Sequence, residues 1–175
     1  MNRNSLVFVS ILSVLAAVNA CSSAQPVKTQ NYARLNDHRT FEFEFPVVWK
    51  GIESALKNYK ITDRDPSEVD PLEMQKLEQR SLETDWVYGQ SRDKYHEYAV
   101  NGSPRKKYLQ TRIKYAISAN RVIGGVDVTV KPTEEVEKLK ADGSSAGWES
   151  VDEPDSSRPN ELLDKINLAI LSAAP

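Results

Sequence analysis

Hydrophobic and polar residues alternate at Phe41, Phe43 and Phe45, with Glu42 and Glu44 between them. Alternation with a period of two predicts a half-buried strand. Pro46 breaks that strand and suits the first position of a helix. Val48, Ile52, Ala55, Leu56 and Tyr59 then recur at helical spacing, which predicts a helix over 47–59 with one apolar stripe. Ile61 to Arg64 fits a short strand. Residues 65–80 hold Pro66, Pro71 and many acids and are too long for a plain turn, so they read as a peripheral insertion. Leu72 to Leu82 leaves room there for a turn or two of helix.

Leu82, Thr84, Trp86 and Tyr88 share one face of the next strand, with Trp86 expected in the core. The charged stretch Gln90 to Lys107, which contains Asn101-Gly102 and Pro104, reads as a loop. Leu109, Thr111, Ile113, Tyr115 and Ile117 form one face of a further strand, and Gln110, Arg112 and Lys114 the other. Asn120 marks a turn, and Val122, Val126, Val128 and Val130 a last long strand, in which Gly124-Gly125 predicts a bulge or bend. Pro132 to Lys140 extends it as strand or helix. Asp142 to Pro159 reads as a long loop, with Trp148 its one large apolar residue. A closing helix carries Leu162, Leu163, Ile166, Ala169, Ile170 and Ala173, with Ser157 as its cap.

Consecutive long strands with short connections favour antiparallel pairing. Two one-striped helices are most cheaply buried on a single face of such a sheet. The expected fold is therefore α+β: an antiparallel sheet with two helices packed on one face, in the order strand, helix, strands, helix.

The N-terminus has a different pattern. Arg3 precedes a thirteen-residue run, Leu6 to Val18, broken only by Ser10 and Ser13. As a helix it rises about 20 Å, short of a ~30 Å hydrocarbon core, so it reads as a cleaved secretory signal. Val18-Asn19-Ala20-Cys21 resembles the lipobox of bacterial lipoproteins, and the resemblance implies that Cys21 becomes the acylated N-terminus. Ser22 after the Cys resembles the outer-membrane sorting pattern. The organisation expected is a signal peptide over 1–20, a lipidated Cys with a flexible tether over 21–39, and one folded domain over 40–175. Residues 22–36 reach roughly 50 Å when extended, which would hang the body off the membrane.

Composition narrows the chemistry. The chain has 175 residues, 39% hydrophobic, with a formal net charge of −2. That supports one core and excludes nucleic-acid binding by bulk charge. The single Cys falls in the lipobox, so no internal disulfide forms and no thiol remains for catalysis. The two His, His38 and His96, sit in polar segments without an elbow motif. Glu42 and Glu44 read as the wet face of a strand. Asp63, Asp65, Glu68 and Asp70 lack the Gly and the terminal Glu of a calcium loop. No catalytic residue, metal or cofactor is expected. Arg105-Lys106-Lys107 is either solvated strand chemistry or a contact for anionic headgroups or an acidic partner. Trp148 is either a plug over the core or an exposed anchor for a partner.

A lipobox Cys, a tether and strand–helix–strands–helix resemble the helix-grip domains of BamC-like lipoproteins of the outer-membrane β-barrel assembly machinery. Phe45-Pro46-Val47-Val48-Trp49 through Leu56, Thr84-Asp85-Trp86 and the strand pair from Tyr108 to Val130 carry that resemblance. It implies a non-catalytic interaction or scaffold module facing the periplasm, with envelope assembly proteins as partners; the Ser22 pattern points to the outer membrane, and a core that does not need the anchor predicts a monomeric body. Trp148, Arg105, Lys106 and Lys107 are the candidate interface residues. A carrier of a small apolar ligand, held between sheet and helix, is the alternative, and a hydrolase the third reading.

Overall fold

The computed structural model describes residues 28–30, 33–140 and 144–173. The signal peptide expected over 1–20 and the acylated Cys21 lie outside these residues. The elements are β1 (Lys28–Thr29), β2 (His38–Phe41), α1 (Phe45–Ala55), β3 (Ile61–Asp65), α2 (Pro71–Met74), β4 (Gln79–Thr84), β5 (Val87–Val100), β6 (Ser103–Val122), β7 (Gly125–Leu139), β8 (Ser145–Ser150) and α3 (Ser157–Ala173). The molecule is mixed α and β, with every strand pairing antiparallel.

The order of elements is richer than strand, helix, strands, helix. β6 is the spine of the sheet. On one side it pairs first with β4 and then with β5, which follow one another along the same edge. On the other side it pairs with β7 from Thr111 to Val122. The outer strands are split in the same way: β3 pairs with β4 and β1 with β5, while β2 and β8 pair with opposite ends of β7. Pro132, which has no N–H to donate, falls between the β2 and β8 pairings on β7, where the outer edge makes the smallest demand on it.

One core joins α1, α3 and the inner face of the sheet. Val48, Trp49 and Ile52 of α1 and Leu162, Leu163, Ile166 and Ile170 of α3 meet Leu82, Ile113, Ile117, Val126, Val128 and Val130. The period of two expected in β6 is observed, because Leu109 to Ala119 alternate buried with Gln110 to Ser118 on the outer face. The helices also touch one another. Gly51 of α1 faces Ile170 of α3, and a Cβ added at Gly51 would collide with that side chain. Ala is ordinarily a better helix former than Gly by about 1 kcal/mol. At this position the order is expected to invert, with Gly51→Ala costing about 1–2 kcal/mol through overpacking. Chemical denaturation checks this: Gly51→Ala should lose stability in the wild-type background and not in an Ile170→Ala background, which lacks the colliding Cγ1.

Several expectations are corrected. Phe45 is not the end of a strand: β2 closes at Phe41, and Phe45 opens α1, fully buried, with Pro46 in the first turn. α1 stops at Ala55, not at Tyr59. Gln90–Lys107 is no loop but the outer half of a long β5–β6 hairpin, turned at Asn101 (φ 50°) and Gly102 (φ 78°). Both φ values are those of a two-residue hairpin turn, for which Asn-Gly is the preferred pair. β6 continues through Asn120, so the next turn is Ile123-Gly124 and not Asn120. Part of the 142–159 loop is the strand β8. Asp155, not Ser157, caps α3, its carboxylate accepting from the Ser157 amide at 2.9 Å.

The segment read as a tether over 21–39 is also held along part of its length. Lys28 pairs with Tyr95 and Thr29 with Lys94, and the Gln30 amide donates to the Asp93 carbonyl at 3.0 Å. The folded body thus begins by residue 28, ahead of the boundary expected at 40.

The 65–80 insertion covers one end of the core. Asp70 caps α2 by accepting from the Leu72 amide at 2.8 Å, and Met74 and Leu77 pack against the core residues. Beneath them Arg80 is buried, its guanidinium 4.5 Å from the Trp49 ring centre and its Nε donating to the Pro66 carbonyl at 3.3 Å. Burial draws the Arg80 pKa below its ordinary value, and the nearby Glu53 carboxylate works against that shift.

Candidate interaction surface

The outer face of the sheet gathers an aromatic and cationic cluster. It starts from a register shift between β4 and β5. Glu83 pairs with Ala116 and Val87 with Ile113, so four residues on one strand span three on the other. One extra residue in a strand moves every later side chain to the opposite face. Leu82 and Thr84 therefore point into the core, while Tyr88 pairs with Arg112 on the outside.

Trp86 follows the same shift. It is not a core residue: it is half-buried, with Arg112 4.6 Å and the Lys114 ammonium 5.6 Å from its ring centre. The buried Trp of this fold is Trp49.

Trp148 approaches from the other side. β8 places it opposite Glu137 of β7, and its ring centre is 4.7 Å from the Arg112 guanidinium. Arg112 is thus in cation–π contact with two Trp rings, a contact worth ~0.5–2 kcal/mol depending on exposure. Tyr88 meets Trp148 edge-on at 5.9 Å. Glu135, directly across from Arg112 on β7, takes its Nε at 2.6 Å. Burial disfavours charge on Arg112, but its hydrogen bonds with Glu135 and Tyr88 outweigh that and raise its pKa. Lys114 beside it is held by Glu83 at 2.5 Å. The cations are fixed in place, and Tyr88 and Trp148 remain 65% and 37% exposed.

Of the two expectations for Trp148, the plug over the core is excluded, since Trp148 stands on the outer face. Arg105, Lys106 and Lys107 do not join it. All three are exposed on β6 beside the hairpin turn, whereas the β6–β7 pairing that leads to Trp148 begins only at Thr111. Sequence reasoning missed Arg112 as the centre of the cluster. It was legible only as one of three outward polar residues, because the bulge that brings Trp86 and Tyr88 over it has no sequence marker.

The inner face carries a second polar group. Glu134 is buried, its carboxylate accepting from the Thr111 hydroxyl at 2.9 Å and from the Asp155 amide at 2.8 Å. These bonds fasten the β8–α3 connection to the sheet. Nearby, a cleft of about 180 Å³ between sheet and α3 is lined by Tyr59, Tyr115, Arg92, Arg158, Glu161 and Lys165 among others. Burial pushes the Tyr115 hydroxyl well above its ordinary pKa. Its charged lining is ill suited to an apolar ligand.

His38 hydrogen-bonds Asp37 on the surface, and His96 lies on the hairpin arm opposite Lys107. Among the described residues no three or more His, Cys, Asp or Glu gather as a metal site, and no helix is long and apolar enough to cross a membrane. No known protein family matches the chain, and no curated protein matches it.

Proposed function

We propose that the protein is a lipid-anchored envelope protein, acylated at Cys21. Its body serves as a non-catalytic interaction module in outer-membrane protein assembly, architecturally similar to the helix-grip domains of BamC-like lipoproteins. The observation that carries this reading is the outer-face cluster of Trp86, Tyr88 and Trp148 around Arg112. Trp, Tyr and Arg dominate the energetic centres of protein interfaces. Here they are pre-ordered by ion pairs, so little rotamer freedom is lost on binding. A folded sheet face that exposes such residues is a surface for a protein partner, with α1 and α3 shielding the opposite face.

The test is cross-linking in intact cells through a photoreactive residue at Tyr88, with quantification of the captured partner by mass spectrometry. One envelope protein at near-stoichiometric yield is expected, and Trp148→Ala should reduce that yield at least tenfold, in line with a centre worth ~2 kcal/mol or more. Equal capture by wild type and Trp148→Ala would overturn the assignment of this surface. Co-purification of a tightly held lipid or metabolite with no protein partner would favour the carrier instead.

A further inference from the structure

We propose that the tip of the β5–β6 hairpin, residues 98–107, docks on anionic phospholipid headgroups of the membrane that holds Cys21; this rests on the lipid-anchor reading. Three observations converge on it.

The first is charge. Between Tyr98 and Lys107 the chain carries Arg105, Lys106 and Lys107 and no acid. The tip is thus +3, while the chain from Cys21, without Arg3, has a formal charge of −2 − 1 = −3, so all the rest sums to −3 − 3 = −6. The adjacent acid, Glu97, is neutralised by its ion pair with Lys28. An anionic surface attracts this end of the molecule and repels the remainder.

The second is patterning. Tyr98 pairs with Arg105 and His96 with Lys107, so both cations share one face of the hairpin with Tyr98 and Val100. Every residue from Tyr98 to Lys107 is exposed. Tyr98 and Val100 have no core to serve here, and a Tyr among cations is the composition of a headgroup-level contact. Lys106, on the other face, lies 4.2 Å over the Tyr95 ring, leaving Arg105 and Lys107 projecting from the tip face.

The third is chain geometry. β1 runs antiparallel to β5, with Thr29 beside Lys94 and Lys28 beside Tyr95. Followed backward, the chain leaves the sheet heading toward the hairpin turn. Cys21 is seven residues from Lys28, at most roughly 24 Å, while the tip extends about 17 Å beyond Tyr95. An acylated Cys21 therefore keeps the bilayer within reach of the tip. The body stands on the membrane, with the Arg112 surface further back along β6 and open to a partner.

The test uses the full acylated protein with Ser103→Cys carrying an environment-sensitive fluorophore. The control is Ile123→Cys, at the other end of β6. Each is mixed with phosphatidylcholine vesicles, with and without phosphatidylglycerol, containing a headgroup-bound quencher. Flotation on neutral vesicles reports the anchor alone. Quenching of the label at 103 but not at 123, only with phosphatidylglycerol, is the expected result. Arg105→Ser with Lys107→Ser should lower the docked-to-undocked ratio at least tenfold without releasing the protein from the vesicles. Flotation on neutral vesicles, with no quenching at 103 even when phosphatidylglycerol is present, overturns the docking and leaves the anchor standing. An acidic protein as the true occupant gives this same unquenched result. Quenching at 103 on phosphatidylglycerol, with no flotation on neutral vesicles, keeps the docking and removes the anchor. Flotation on neither removes both.

Discussion

Replacing Trp49 by Ala is expected to destabilise the fold by about 3–5 kcal/mol, a large part of the ~5–15 kcal/mol that holds a domain of this size together. Trp49 is 1% exposed and sits where α1, the sheet and the 65–80 insertion meet. Phe45 stacks parallel to it at 6.5 Å. Its indole N–H has no hydrogen-bond partner among the described residues, so its contribution is packing and the ring face it offers Arg80. Without the ring, the cavity would adjoin a buried guanidinium that has lost its cation–π partner. Urea denaturation of Trp49→Ala should therefore show a midpoint shift several times that of Trp86→Ala, whose ring is half in water. Equal shifts would contradict the assignment of Trp49 to the core.

The second large effect is expected at Gly125. β2 crosses the start of β7 so closely that a Cβ on Gly125 would strike the carbonyl of Phe41 and crowd Cα of Glu42. Both obstacles are backbone, so no rotamer change relieves them. Phe41 is itself a core residue, paired with Val126. Gly125→Ala should cost about 3 kcal/mol, at the upper end of overpacking, and should free β2 before the rest of the sheet. Hydrogen exchange reads this directly, because the amides that join β2 to β7 should lose protection in the variant. Unchanged protection there, with stability within ~0.5 kcal/mol of wild type, would show that β2 has room to move.

How much of this was legible in the sequence follows from which residues were forced to choose a side. In β6 and the first half of β7 one face is buried against helices, and the alternation at Leu109 to Ile117 and Val126 to Val130 records it. α3 was legible for the same reason, its stripe being its buried face. The β5–β6 arm was not, because beyond Tyr95 and Tyr108 both faces are wet and no alternation is imposed. Only Asn101-Gly102 signalled a hairpin there. β8 was hidden likewise, with all six of its residues exposed. Trp86 was misplaced by a single inserted residue. The alternation through Leu82, Thr84, Trp86 and Tyr88 is real in the sequence, but the bulge before Val87 divides it between two faces.

Arg112 and Arg80 make the same point for side chains. Both look like ordinary surface cations on a strand. One lies in the core under an insertion, and the other holds two Trp rings on the outer face. Their roles come from contacts between residues far apart in the chain, Arg80 with Trp49 and Arg112 with Trp86 and Trp148, which no local pattern encodes.

The proposed function requires that the protein be held to the envelope by its N-terminus, with its aromatic surface facing a partner. The most direct test is the intact mass of the protein extracted from the cell envelope in detergent. The mass predicted is that of a chain starting at Cys21 plus the lipid groups carried by that cysteine, with no free thiol. A chain that begins elsewhere, or one that starts at Cys21 with an unmodified, titratable thiol, would contradict the anchor on which the account stands.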